Sequence, residues 1–330
     1  MTTHIVICDD SSMARRQMAR SLPENWNVEI RYACDGVEGI KAINDTQAEI
    51  MFLDLNMPNM DGYEVLQAIR DQDLPTMVIV VSGDIQPEAY KRVVKLGALD
   101  FIKKPVVPKR IEQVLKRYGI SIDRKAEATQ IEIKVDLTDG YREVANVAMG
   151  RAADLLARLL NVFVILPVPN VSMLEANELR MALGQISDTD NSISALCQGF
   201  IGPGIAGEAL LIFNEASFTD IADLMKFKGE ITEAIQMELL MDISNILIGA
   251  FLKGIADQLD ISFSQGHPVI LGRHVKMQEL MNEVGRQWHK TLAIEIPYKI
   301  ENKKISCELL LLFTEDSIKA LDGRIAYILD

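Results

Sequence analysis

The chain has 330 residues, 48% of them hydrophobic, which gives room for two or three domains with buried cores. Its formal net charge of -13 argues against a nucleic-acid partner, because binding a phosphate backbone needs a basic face. The four cysteines, Cys8, Cys34, Cys197 and Cys307, make no CxxC, and three lie in apolar segments, which predicts buried thiols in a reducing compartment.

The opening stretch MTTHIVICDDSSM lacks the basic region, apolar run and cleavage site of a signal peptide. The apolar segment Ile243–Ala256 is short for a membrane span and is interrupted by Lys253. The expectation is a soluble, cytoplasmic protein without membrane insertion.

In chain order, His4–Cys8 reads as a buried strand followed at once by Asp9 and Asp10, and Ser11 or Ser12 is placed to cap the next helix. Val28–Ala33 reads as a strand and GVEGIKAI as the start of a helix. Ile50–Leu53 is an apolar run ending in Asp54, with the turn formers Asn56, Pro58, Asn59 and Gly62 just beyond, so it reads as a buried parallel strand. Glu64–Arg70 is helical, Met77–Val81 a fourth strand ending in Ser82, and Pro87–Leu96 a helix stopped by Gly97. Leu99–Ile102 is a fifth strand ending in Lys103, Lys104 and Pro105, and Pro108–Tyr118 closes with a helix.

Five alternating strand–helix units predict a doubly wound five-stranded parallel (βα)5 fold. Ligands of such sheets sit at the carboxyl ends of the strands, and there stand Asp9, Asp10, Asp54, Ser82 and Lys104. Three carboxylates beside one hydroxyl and one lysine suit a hard cation, magnesium above all, next to a group able to carry a phosphoryl.

Residues 1–119 resemble the receiver domain of two-component response regulators, the CheY-like fold. The resemblance rests on the DD pair, LDLNMPNMDG, the SG after the fourth strand and the KKP after the fifth. It implies that Asp54 is the phosphoacceptor, and that Asp9, Asp10, Asp54 and the Asn56 carbonyl hold Mg2+. It further implies that Ser82 and Lys104 contact the phosphoryl oxygens and that Phe101 is the aromatic switch. A sensor histidine kinase, CheA-like or other, is then the expected phosphodonor.

Residues 120–130 are polar and mixed in charge and read as a linker, leaving 131–330 as a second domain. This second part repeats itself. Asp139, Glu143, Asn146, Gly150 and Pro169 recur as Glu238, Asp242, Asn245, Gly249 and Pro268, each ninety-nine residues on. GEALLIFNE at 207–215 is echoed by CELLLLFTE at 307–315. The expectation is a pseudo-two-fold α+β duplicated domain, with long helices beside a shared sheet. The spacing acid-xxx-acid-xx-Asn puts all three side chains on one helical stripe, and close approach of another element is the expected reason for Gly150 and Gly249.

The second part resembles the CheC, CheX and FliY phosphatases of chemotaxis, whose signature is D/S-xxx-E-xx-N with a proline some twenty residues later. The resemblance implies catalysis by Glu143 and Asn146 in one site and by Asp242 and Asn245 in the other. Asp242 is one methylene shorter than the expected glutamate, which ranks the second site below the first. In such a reaction the amide orients a water for in-line attack, while the acid pairs with a receiver lysine, here Lys104 in its own receiver.

The expected function is therefore a response regulator whose output domain removes aspartyl phosphate from a CheY-type receiver, in trans or in its own chain. Activation in trans by Asp54 phosphorylation is the reading of its regulation. The rival is a phosphorylation-controlled docking adaptor without turnover, and the oligomeric state stays open between monomer and homodimer.

Overall fold

A computed structural model describes residues 2–24, 26–120, 122, 135–175, 178, 193–214, 217–275, 290–303 and 305–329, the last three residues before 276 in backbone only. Of the linker expected at 120–130, only Ile120 and Ile122 fall among the described residues, and both pack against the first core. The chain divides into two compact units, Met1–Glu143 and Val144–Asp330.

The first unit is built on five parallel strands, β1 (Thr3–Cys8), β2 (Val28–Ala33), β3 (Ile50–Leu53), β4 (Met77–Ser82) and β5 (Asp100–Lys103). Their order in the sheet is β2-β1-β3-β4-β5. The helices between and after them are α1 (Ser12–Arg20), α2 (Gly36–Thr46), α3 (Gly62–Asp71), α4 (Pro87–Leu96) and α5 (Pro108–Arg117). Continuous apolar runs make β1 and β3 central, and Ile5, Ile7, Ile50, Phe52 and Ile79 form a core with Ile111, Val114 and Leu115 of α5. This is the parallel fold expected of the sequence.

Local chemistry sets the helix starts. Ser11, not Ser12, caps α1, accepting from the Ala14 amide. A reciprocal capping box between Asp61 and Glu64 starts α3 two residues earlier than Glu64. Gly62 stands where it does because a Cβ there would lie 2.3 Å from the Asp54 carbonyl oxygen. A bulkier residue would push α3 off the end of β3.

The helix α6 (Leu137–Leu160) gives its first turns to the first unit and the rest to the second. The second unit continues with β6 (Val164–Ile165), β7 (Asn170–Glu175), β8 (Ile193–Gly202), β9 (Ile205–Asn214) and α7 (Ser217–Leu224). Then follow α8 (Glu233–Leu259), β10 (Ser264–Gln265), β11 (Val269–Val275), β12 (Lys290–Ile300), β13 (Ser306–Phe313) and α9 (Glu315–Leu329). All described strand pairs here are antiparallel, in the order β10-β8-β9-β13-β12-β6, with β11 on β8 and β7 on β12.

At the centre of this sheet Leu210 of β9 faces Leu310 of β13, and the register runs symmetrically outward to Gly207↔Phe313 and Cys307↔Phe213. One sheet face buries Leu211, Phe213, Leu309, Leu311 and Phe313. On α8 the buried positions Leu239, Leu240, Ile243, Leu247, Phe251, Leu252, Ile255 and Leu259 form a broad apolar face.

Three expectations need correction. The apolar segment at Ile243–Ala256 is part of a 27-residue helix, long and apolar enough to cross a membrane, although 61% of its apolar window is buried inside the protein. The apolar periodicity runs past both ends of the segment, which is why it looked short. The close approach expected at Gly249 falls instead at Gly254, where a Cβ would stand 2.7 Å from Ala148 Cα; at Gly249 the nearest such atom is 4.0 Å away. Of the cysteines, Cys8 and Cys307 are buried, Cys197 is half-buried and Cys34 is exposed.

Candidate functional site

The carboxyl edge of the first sheet gathers the predicted residues. Asp9 follows β1, Asp54 follows β3, Ser82 ends β4 and Lys104 follows β5, and all four are buried. The chain enters this edge under backbone control: the Asp54 amide donates to the Cys8 carbonyl at 2.9 Å, and the Lys104 amide to the Ser82 carbonyl at 3.0 Å.

Lys104 is the hub. Its Nζ lies 2.7 Å from Asp9 Oδ2 and 3.3 Å from Asp54 Oδ1. Within the same unit, on the second turn of α6, Glu143 Oε1 lies 3.2 Å from that ammonium. Burial pulls the Lys104 ammonium toward deprotonation, yet Asp54, Asp9 and Glu143 more than offset this and hold it well above its ordinary range.

The acids respond in the opposite sense. Burial pushes Asp9 well above the usual carboxylate range against the pull of Lys104, with Asp54, Glu143 and Asp10 adding to the rise. Burial, then Asp54, pushes Asp10 up to about 7. A cluster so reluctant to ionise in full is short of positive charge. One carboxylate oxygen each from Asp9, Asp10 and Asp54 lie within 4.8 Å of one another, so the three could hold a divalent cation through hard oxygen ligands. Asp54 Oδ1 is ion-paired to Lys104 at 3.3 Å but accepts no hydrogen bond among the described residues, so it keeps lone pairs with which to ligate or react.

The surroundings fix these groups. Asp9 Oδ1 accepts from the Ser11 amide at 2.9 Å, and Asp54 Oδ2 accepts from the Asn56 amide at 2.9 Å. Arg15 Nη1 donates to the Asp9 carbonyl at 2.5 Å. Ser82 Oγ accepts from the Asp84 amide at 3.1 Å. Phe101 is buried and meets Tyr90 edge-to-face with centroids 6.0 Å apart. Tyr90 and Arg15 went unread in the sequence, since neither lies in a local pattern that marks an edge.

The two copies of the acid–acid–Asn stripe differ in exposure. Glu143 and Asn146 are buried, Asn146 Oδ1 has no hydrogen-bond partner among the described residues, and Asp139 accepts from both Ser12 Oγ and Arg142. On α8, Glu238, Asp242 and Asn245 are all exposed.

Residues 5–116 match the family described as the response regulator receiver domain. Over 153 residues the chain is 42% identical to protein-glutamate methylesterase/protein-glutamine glutaminase 3 of Geobacter sulfurreducens, covering 44% of this chain and 40% of that one. Over 163 residues it is 32% identical to the probable C4-dicarboxylate response regulator DctR of Priestia megaterium, covering 48% of this chain and 67% of that one. The chain thus spans well under half the length of the first of these relatives. Among solved structures, the receiver domain of the putative response regulator NarL of Mycobacterium tuberculosis is 27% identical, covering 36% of this chain and 96% of that one at a TM-score of 0.34. Thermotoga maritima FliY is 17% identical, covering 60% of this chain and 100% of that one at a TM-score of 0.43. With its family match and its coverage of the Priestia regulator, the chain belongs to the response regulators and carries their receiver domain at residues 5–116.

Proposed function

We propose that this response regulator takes a phosphoryl group on Asp54 and that its second part, 131–330, removes aspartyl phosphate from receivers. In the first step an Asp54 oxygen bonds to the phosphorus of a kinase phosphohistidine as the phosphorus–nitrogen bond breaks and the imidazole keeps the electron pair. Asp9, Asp10, Asp54 and the Asn56 carbonyl are the residues to hold Mg2+, which would neutralise phosphoryl charge there. Ser82 and Lys104 donate to the phosphoryl oxygens, and Phe101 answers their shift.

In the second step water attacks the phosphorus, the carboxylate oxygen leaves, and inorganic phosphate departs. Such hydrolysis is chiefly a matter of positioning. Asn146 and Asn245 offer amides that orient a water without titrating, and Glu143 and Asp242 are acids for a receiver lysine.

One observation carries this reading: acid, acid and Asn recur at identical spacing on α6 and α8, the two longest helices among the described residues. The symmetric β9–β13 register about Leu210 and Leu310 supports a duplicated, pseudo-two-fold domain of the CheC type. Since Glu238, Asp242 and Asn245 are exposed, the α8 stripe is the one open to a separate receiver, such as a phosphorylated CheY-type protein. The short Asp242 also favours a second reading, in which this stripe docks a receiver without turning it over.

The test is the decay of a separately phosphorylated receiver with this protein added. Acceleration that is lost in Asn245→Ala supports the phosphatase. Binding without acceleration supports the adaptor.

A further inference from the structure

We infer that the α6 stripe is committed to the phosphate on the chain's own Asp54, and that Ser12 is the positioning residue that docks it there through Asp139. The inference rests on the phosphatase reading and deepens it. It assigns the α6 stripe to the chain's own receiver and leaves the exposed α8 stripe for separate ones.

Both acids of the α6 stripe meet receiver side chains within the first unit. Asp139 accepts from Ser12 Oγ at the start of α1, and is also paired with Arg142 at 3.0 Å. One turn on, Glu143 Oε1 lies 3.2 Å from the Nζ of Lys104, the residue after β5. Ser12 follows the acid pair Asp9 and Asp10 closely, on the β1 side of the sheet. In the sheet order β2-β1-β3-β4-β5, Asp54 at the end of β3 stands between these two anchors. The first turns of α6 are thus fastened on either side of the phosphoacceptor.

The contact is compatible with the phosphorylated state. Lys104 Nζ has three donors, shared here among Asp9, Asp54 and Glu143. Phosphorylation occupies Asp54 and Mg2+ occupies Asp9, so two donors turn to phosphoryl oxygens while the third stays with Glu143. Water then bonds to phosphorus as the phosphorus–oxygen bond to Asp54 breaks. The carboxylate keeps the electron pair, and both protons of the water leave with inorganic phosphate.

Burial closes this site to a second receiver, because Glu143 and Lys104 are only 3% and 6% exposed. Groups tethered on one chain also meet at an effective concentration on the order of millimolar, which favours the chain's own phosphate over a dilute partner's.

The test follows loss of Asp54 phosphate from full chains carrying Asn245→Ala, so that the α8 stripe does not contribute. The chains are labelled from a small acyl phosphate, freed of donor and kept in Mg2+. First-order decay is expected, with one rate constant at all protein concentrations. Adding Glu143→Gln should slow it on the order of ten- to a hundredfold. Excess unlabelled Asp54→Asn/Asn245→Ala chain, whose α6 stripe is intact, should not restore the rate. Restoration, a rate that rises with concentration, or no slowing in Glu143→Gln overturns the assignment. If the wild-type chain still speeds decay of a separate phosphorylated receiver, the phosphatase reading survives that result; if it does not, both fall.

Ser12→Ala and Asp139→Ala should each slow the decay about two- to tenfold, as loss of one hydrogen bond does. The double variant should be no slower than either single one, Ser12→Thr should restore the rate, and label uptake should not change. If Ser12→Ala takes up no label, Asp139→Ala alone decides. Decay at the parent rate, or additive slowing, overturns the role of Ser12.

Discussion

Gly254 of α8 lies against Ala148 of α6 so closely that a Cβ on Gly254 would meet the Ala148 Cα at 2.7 Å and its Cβ at 2.9 Å. Around this crossing Gln258 Nε2 donates to the Val144 carbonyl at 2.9 Å, and Arg151 pairs with Asp257 at 2.8 Å. The two helices that carry the acid–acid–Asn stripes are thus locked by a backbone contact that tolerates no side chain.

Gly254→Ala is therefore predicted to destabilise the second unit by about 1–3 kcal/mol, the usual cost of overpacking. Gly249→Ala, where the nearest atom is 4.0 Å away, should instead gain roughly 0.5–1 kcal/mol from helix propensity. Thermal unfolding of both variants checks the contrast. Equal effects would mean that the crossing is not tight.

Glu308 of β13 makes stability depend on pH. Burial, then Glu295, pushes its carboxyl up to about 7 against the pull of Lys299, and among the described residues its Oε2 has no hydrogen-bond partner. A folded pKa above the unfolded value means that the folded state holds the proton more tightly, so this group destabilises the fold progressively as pH rises from about 4.5 to about 7. Glu308→Gln should then raise Tm at pH 8 and change it little at pH 4. A gain that does not grow with pH would contradict this.

The unequal exposure of the stripes predicts unequal effects on a separate receiver. Asn245→Ala and Asp242→Ala should each slow dephosphorylation in trans by roughly ten- to a hundredfold if positioning dominates, since misplacement near 1 Å costs about that much. Asn146→Ala, altering a buried residue, should matter less in this assay. Initial rates at saturating protein decide it, and the opposite ranking would return the leading role to the glutamate-bearing stripe.

Much of the receiver edge was legible because its signals are local. An apolar run, one acid and a burst of turn formers are enough to place Asp54 at the end of β3, and KKP does the same for Lys104. The repeat and the two acid–acid–Asn stripes were legible for the same reason. The exchange of strands, with β7 on β12 and β11 on β8, was not legible, because pairing between distant strands leaves no local periodicity. Nor was the choice of Gly254 over Gly249: both are glycines in an apolar helix, and only the crossing tells them apart. The burial of Glu143 and the exposure of Asp242 likewise depend on what surrounds each helix, not on the stripes themselves.

The most direct measurement is phosphoryl uptake from a small acyl phosphate donor by the wild-type chain and by Asp54→Asn, with and without Mg2+. Asp54 stands 3.3 Å from Lys104 and within 4.8 Å of the Asp9 and Asp10 carboxylates, so the account predicts acid-labile label that needs both Asp54 and a divalent cation. Undiminished label in Asp54→Asn, or label indifferent to Mg2+ removal, would contradict it.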